Sequence, residues 1–337
     1  MRHHHPIIFT LFAALLIMVS ACQNDATDKA ASDSPPPVVN KVKVPRFERD
    51  SAFAFIEKQV SFGPRVPNTE AHQQCKEWLV EQFRSYGAKV IEQDFIATAY
   101  TGLKLNSTNI IAQYKPDAVK RVLLAAHWDS RPFADSPLSE ERQEEAILGA
   151  DDGGSGVAVL LEVARQLQQN PIDLGVDIVL FDAEDYGDSE NHTPNSFALG
   201  SQYWSQNVHV SGQQRPRYGI LLDMVGSKDA RFPKEYYSTQ FAPAIVDKVW
   251  KLAQSMGYGN YFVNETSGGI ADDHYYVNTI ARIPMIDIIN RQPGTQTGFG
   301  AYWHTHDDDM DVIDKRTLRA VGQVMLAVLY REHNGEF

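Results

Sequence analysis

Histidine and carboxylate side chains follow three apolar, strand-like runs in this chain. Val122-Leu123-Leu124-Ala125-Ala126 leads into His127-Trp128-Asp129, and Val176-Asp177-Ile178-Val179-Leu180-Phe181 leads into Asp182-Ala183-Glu184-Asp185. Ile220-Leu221-Leu222 leads into Asp223. Between the first two lies Gly149-Ala150-Asp151-Asp152-Gly153-Gly154-Ser155-Gly156, and Trp303-His304-Thr305 comes near the end. Oxygen and imidazole donors in that number suit zinc, with a spare carboxylate to carry a proton. No compact metal signature such as His-Glu-x-x-His occurs, so position carries more weight than spacing. A carboxylate tucked behind an apolar run is costly unless it is paired, hydrogen-bonded or bound to a cation. Several together repel one another, and a divalent ion relieves that repulsion. Turn formation and helix capping explain any one Asp in such a place, but four sites together fit them poorly. Glu184 and Asp185 are adjacent, so one can bind metal while the other faces the reacting group as general base and acid.

These groups converge only if the runs are neighbouring parallel strands, which carry their ligands at their carboxyl ends. The runs at 122–126, 176–181 and 218–222 are continuously apolar, as strands covered on both faces are, and Ile283 to Ile289 joins them. Lys89 to Ala97 and Thr108 to Tyr114 alternate as half-buried strands. Helical patterns span Phe47 to Val60, Thr69 to Tyr86, Val157 to Leu167, Phe241 to Met256 and Thr317 to Tyr330, with Asp314 placed to cap the last. Strand and helix alternate, which predicts an α/β fold: a mostly parallel, twisted central sheet with helices on both faces. The glycines after Asp152 let a helix N-terminus approach the site and offer backbone N–H groups. Polar stretches at 131–148, 186–197 and 290–302 adjoin the motifs and are expected to wall a pocket.

The chain has 337 residues, 43% of them hydrophobic, enough for a substantial core. A formal charge of −12 argues against a nucleic-acid surface. Arg2, the apolar run from Ile7 to Val19 and Val19-Ser20-Ala21-Cys22 resemble a bacterial lipoprotein signal. The expected organisation is a signal peptide at 1–21 and a flexible tether at 22–44 ending in Pro35-Pro36-Pro37. A single catalytic domain at 45–337 follows. That predicts an exported protein facing the periplasm or cell envelope, anchored to membrane by lipid on Cys22. Cys75 then has no disulfide partner and reads as a small buried apolar residue.

His127-Trp128-Asp129, the 149–156 run, Glu184-Asp185, Asp223 and His304 resemble the hallmarks of the two-zinc aminopeptidase family: H-x-D, G-A-x-D-x-x-S-G, a Glu-Glu pair, a later Asp and a C-terminal His. The likeness runs from about Phe47 to Tyr330. Two details resemble its glutaminyl cyclase branch. Asp272-Asp273-His274 stands where peptidases usually have Ser-Asp-His, and Trp303 precedes His304 with Phe299 four residues before it. The resemblance implies one zinc per chain, held by Asp152, Asp185 and His304, with His127 a ligand only if a second zinc is present. It implies Glu184 as proton shuttle, Asp223 and Asp272 hydrogen-bonding near it, and Trp303 and Phe299 walling an apolar slot for a glutamine side chain. The implied reaction converts the N-terminal glutamine of a peptide or protein to pyroglutamate with release of ammonia. The family's second Glu is Asp185 here, one methylene shorter, which leaves open whether Glu184 shares in coordination.

Two other readings compete. A two-zinc aminopeptidase would use His127, Asp152, Asp185, Asp223 and His304, with Asp152 bridging. A non-catalytic lipoprotein could bind peptides at a relic site, although the intact Glu184 argues against that.

Overall fold

The computed structural model describes residues 41–337, which belong to one compact unit. The expected signal peptide, Cys22 and most of the tether lie outside the described residues. Residues 41–44, the end of that tether, are held on the body. The Val42 N–H donates to Asn334 Oδ1 at 2.9 Å, and Lys41 pairs with Glu336 at 2.5 Å.

The sheet has six strands: β1 (Lys89–Thr98), β2 (Lys104–Tyr114), β3 (Arg121–His127), β4 (Gly175–Phe181), β5 (Gly219–Asp223) and β8 (Met285–Ile289), in the order β1-β2-β4-β3-β5-β8. β4, β3, β5 and β8 are mutually parallel; β1 and β2 form an antiparallel edge hairpin, and β2 runs antiparallel to β4. Every residue of the four parallel strands is buried, as their largely apolar runs require. Alternation divides β3 between two cores. Val122, Leu124 and Ala126 pack with α1 (Arg49–Val60), α3 (Gly154–Gln169) and α8 (Lys315–Asn334), whereas Leu123 and Ala125 pack with Trp204 of α4 (Leu199–Gln206) and with Val277. Helices therefore cover both faces.

Three elements depart from expectation. The helix expected over 241–256 is α6 (Pro243–Ser255), which Pro243 begins because its missing N–H costs nothing there, and a separate short helix that was not expected, α5 (Tyr236–Phe241), precedes it. A two-stranded sheet of β6 (Phe232–Lys234) and β7 (Phe262–Thr266) flanks them. The short α7 (Asp273–Tyr276) begins within Asp272-Asp273-His274, with Asp272 as its N-cap. Cys75 is free and buried; burial pushes its thiol pKa up to about 12. No helix among the described residues is long and apolar enough to cross a membrane.

Candidate active site

The parallel strands bring their carboxyl ends to one edge. His127 is the last residue of β3 and Asp223 the last of β5, while Asp182–Asp185 is the turn after β4. Backbone strain marks this edge: Ala183, Met224 and His304 all have positive φ, at 52°, 48° and 54°. Carboxylates hold the turns together. Asp129 accepts the N–H groups of both Glu184 and Asp185 at 3.1 Å each, tying the β4 turn to the β3 turn. Asp308 accepts those of Asp151 and Asp152 at 2.7 and 3.1 Å. Gly153 (φ 85°) closes the loop into α3; a Cβ there would sit 2.6 Å from the Asp129 carbonyl oxygen and 3.0 Å from the His127 ring. The glycine run thus lets the α3 N-terminus reach the site, as its sequence predicts.

Asp152, Asp185 and His304 are buried, and one donor atom from each lies within 4.8 Å of the others. His304 Nε2 is 3.2 Å from Asp185 Oδ1 and 3.7 Å from Asp152 Oδ2. Asp185 rather than Glu184 belongs to this group, so the shorter side chain still reaches. His127, Asp152 and Asp223 form a second group within the same limit, with His127 Nε2 3.0 Å from Asp152 Oδ1 and 3.3 Å from Asp223 Oδ1. Asp152 is common to both.

These residues fit zinc on their own evidence. Two carboxylates and an imidazole are a zinc donor set that leaves a position open for substrate. The buried Asp185 Oδ2 has no hydrogen-bond partner. Asp135 Oδ1 lies 3.2 Å from His304 Nδ1, while Nε2 is turned towards Asp152 and Asp185, the side on which a metal would sit. Arg131 braces the group, donating to the Asp185 carbonyl at 2.8 Å and pairing with Asp135 at 2.5 Å. Burial disfavours the charged imidazolium of His304, but Asp185 and Asp135 outweigh it and push the pKa up to about 9. Burial pushes Asp223 up to about 8, with Asp152 and Asp272 adding to the shift against a His127 hydrogen bond. Protons held here are what a cation would displace.

A cavity of about 490 Å³ opens over this group. Glu184, Asp223 and Asp272 line it with Phe299, Trp303 and Arg291. Burial raises the Glu184 pKa well above the usual carboxylate range, helped by Asp185, Asp272 and Asp273 and opposed by His127. Trp303 lies against the His304 ring, Phe299 stacks on Trp303 at 4.7 Å, and the Arg291 guanidinium sits 4.1 Å over Phe299. The loops at 186–197 and 290–302 contribute Ser189, His192, Phe197, Arg291 and Phe299 to the lining, as pocket walls. Asp182 faces away from the cluster. It accepts from Thr108 N–H at 2.6 Å and pairs with His72, whose ring stacks on Trp128.

All the sequence-predicted site residues therefore meet at one edge. Sequence reasoning gave no role to Asp129, Arg131, Asp135 or Asp308. The His-x-Asp spacing was the available sign for Asp129; nothing local marked the others.

The family model for peptidase family M28 matches residues 109–329. An aminopeptidase of Bacillus subtilis, YwaD, is 29% identical over 231 residues, covering 66% of this chain; the chain spans 44% of that protein's length. A solved structure from Parabacteroides distasonis, described as a Zn-dependent exopeptidase, is 51% identical, with TM-score 0.83 over 86% of this chain and 99% of that one. The glutaminyl cyclase of Tannerella forsythia is 52% identical, with TM-score 0.82 over 85% of this chain and 99% of that one. This chain belongs to peptidase family M28.

Proposed function

We propose that this protein is a glutaminyl cyclase, a zinc-dependent aminoacyltransferase that closes the N-terminal glutamine of peptides and proteins to pyroglutamate. The observation that carries the reading is the cavity itself: a raised-pKa Glu184 beside Asp223 and Asp272, facing a wall of Trp303 and Phe299 over one zinc-type ligand group. Its likeness to a bacterial glutaminyl cyclase across nearly that chain's whole length supports it.

Asp152, Asp185 and His304 would hold one zinc per chain, which when bound polarises the glutamine side-chain amide. The chain's own residues do the rest. Trp303, backed by Phe299, walls the slot for the glutamine methylenes, and its flat face restricts them to a folded-back conformer. Asp223 and Asp272 hold the α-amine at the cavity floor. Glu184, as carboxylate, takes a proton from that amine as its nitrogen bonds to the side-chain carbonyl carbon. It then passes the proton to the departing nitrogen as the carbon–nitrogen bond breaks, releasing ammonia. A pKa raised above the usual carboxylate range suits a group that must both accept and donate. No water nucleophile is consumed.

The His127, Asp152 and Asp223 group favours a second reading, a two-zinc aminopeptidase. Incubating the zinc-loaded protein with a Gln-initiated peptide separates the two. Ammonia release with the peptide otherwise intact supports cyclisation; free glutamine overturns it. We place the protein on a bacterial envelope membrane through lipid on Cys22, which lipid labelling of wild type and Cys22→Ala would test.

A further inference from the structure

Arg291 borders the cavity with its donors unused. The fully buried arginines use theirs: Arg65 donates to the Trp128 and Gly149 carbonyls at 3.1 and 2.7 Å, Arg121 to Asp177 at 2.8 Å and Arg131 to the Asp185 carbonyl at 2.8 Å. Among the described residues Arg291 forms no ion pair, and its guanidinium donates no hydrogen bond. It is the one lysine or arginine lining a cavity whose other ionisable walls are carboxylates and histidines. Burial lowers its pKa while Asp287 and Glu235 raise it, and a guanidinium stays charged through either.

The loop from 290 to 299 holds that guanidinium in place. The Arg291 N–H donates to the Arg231 carbonyl at 2.9 Å, and the Gln292 N–H to the Gly298 carbonyl at 3.0 Å, so the two ends of the loop meet. The guanidinium then sits 4.1 Å over the Phe299 ring. Gly298, at φ 76°, leaves the room: a Cβ there would lie 2.8 Å from Arg291 Nη2. Because Phe299 stacks on Trp303, the cation is fixed relative to the cavity wall.

On the cyclisation reading, Asp223 and Asp272 take the α-amine and the metal takes the side-chain amide. What is left for Arg291 is the chain that follows the glutamine. A planar fork of N–H groups matches the two oxygens of a carboxylate better than a single carbonyl. A second cavity of about 670 Å³ meets the first at Ser189, His192 and Trp303. Asp135, Glu144, Asp188 and Glu190 line it, with no lysine or arginine, so it repels a carboxylate that Arg291 attracts.

We propose that Arg291 is a specificity-determining residue that receives a carboxylate carried next to the reacting glutamine. That carboxylate is the side chain of an acidic second residue or the C-terminus of a dipeptide. The place of the glutamine rests on the cyclisation reading; the carboxylate preference is measured separately from it.

C-terminally amidated Gln-Glu-Ala, Gln-Ala-Ala and Gln-Lys-Ala vary the second side chain alone, and Gln-Ala with a free or amidated terminus varies the terminal carboxylate alone. The zinc-loaded wild type should favour the charged member of at least one carboxylate pair by roughly tenfold in kcat/KM, mostly through KM. Which pair shows it identifies the source. Arg291→Met should bring that ratio to about one, and Arg291→Lys should keep part of it. Each ratio is taken within one variant, so a general loss of activity cancels. Calorimetric binding of the same peptides to zinc-loaded Glu184→Gln, with and without Arg291→Met, reads the preference whether or not the wild type cyclises glutamine. The proposal is overturned if neither pair is discriminated, if Gln-Lys-Ala is preferred, or if the ratio survives in Arg291→Met. A wild type that cyclises none of the peptides sinks the function instead, leaving the binding ratio to decide Arg291.

Discussion

The indole of Trp303 lies 3.8 Å from the imidazole of His304, centroid to centroid, with the planes 18° apart. The wall of the cavity and a metal-ligand candidate are thus consecutive residues in direct stacking contact. His304 has left-handed backbone, φ 54°, a conformation that needs support from its surroundings. The stack and the facing Asp135 carboxylate supply it. On the proposed reading, this one pair of side chains would couple substrate fit to metal orientation.

Trp303→Ala removes both the wall and the stack. Aromatic stacking of this kind contributes about 0.5–1.5 kcal/mol beyond area burial. KM for a Gln-initiated peptide should rise by roughly tenfold or more, and zinc should dissociate faster, whereas Trp303→Phe should recover most of both. Steady-state kinetics with a chelator-competition assay measures the two effects. An unchanged zinc off-rate would uncouple the stack from the ligand.

Glu184→Gln keeps the shape of the cavity but cannot accept the amine proton. Cyclisation should fall by roughly 10²- to 10⁴-fold in kcat while zinc content stays at the wild-type level. Activity near wild type in this variant would remove Glu184 from its assigned role.

Zinc uptake should be coupled to proton release. His304, raised to about 9, and Asp223, raised to about 8, carry protons through neutral pH when no cation is present. Binding needs His304 Nε2 free, so below pH 9 each zinc must displace its proton. Apparent affinity should then rise with pH, approaching a plateau above about 9. Calorimetric titration in buffers of different ionisation enthalpy counts the protons; affinity independent of pH across that window would refute the coupling.

Gly156→Ala tests the approach of α3 to β5. A Cβ at this position would sit 2.3 Å from the Leu222 carbonyl oxygen and 2.9 Å from the Ala126 side chain. The helix must shift, which should cost about 1–3 kcal/mol of stability and disturb Asp152 just ahead of the helix. Denaturant unfolding of the metal-free protein gives the first effect, and zinc affinity the second.

Much of this was legible from residue order because its physics is local. β3, β4, β5 and β8 announced themselves as largely apolar runs, and a residue at the end of such a run points into the crevice whatever the loops do. His127, Asp223 and the Glu184-Asp185 pair were found that way. The helix ahead of Pro243, α5, has only six residues, too few to show a helical period. β6 and β7 are too short to stand out from coil. The supporting carboxylates were beyond reach for another reason. Asp308 meets the Asp151 N–H across 157 positions, and Asp135 meets His304 only when distant loops close on one another. Long-range polar contacts carry no periodic signature.

Everything chemical here depends on Asp152, Asp185 and His304 holding one ion. Anomalous diffraction at the zinc edge, on crystals of the zinc-loaded protein, tests this most directly. The account predicts a single strong peak bonded to those three side chains, with Glu184 beside it and unligated. Two peaks bridged by Asp152, the second on His127 and Asp223, would contradict it in favour of hydrolysis, and a peak remote from all three would remove the site altogether.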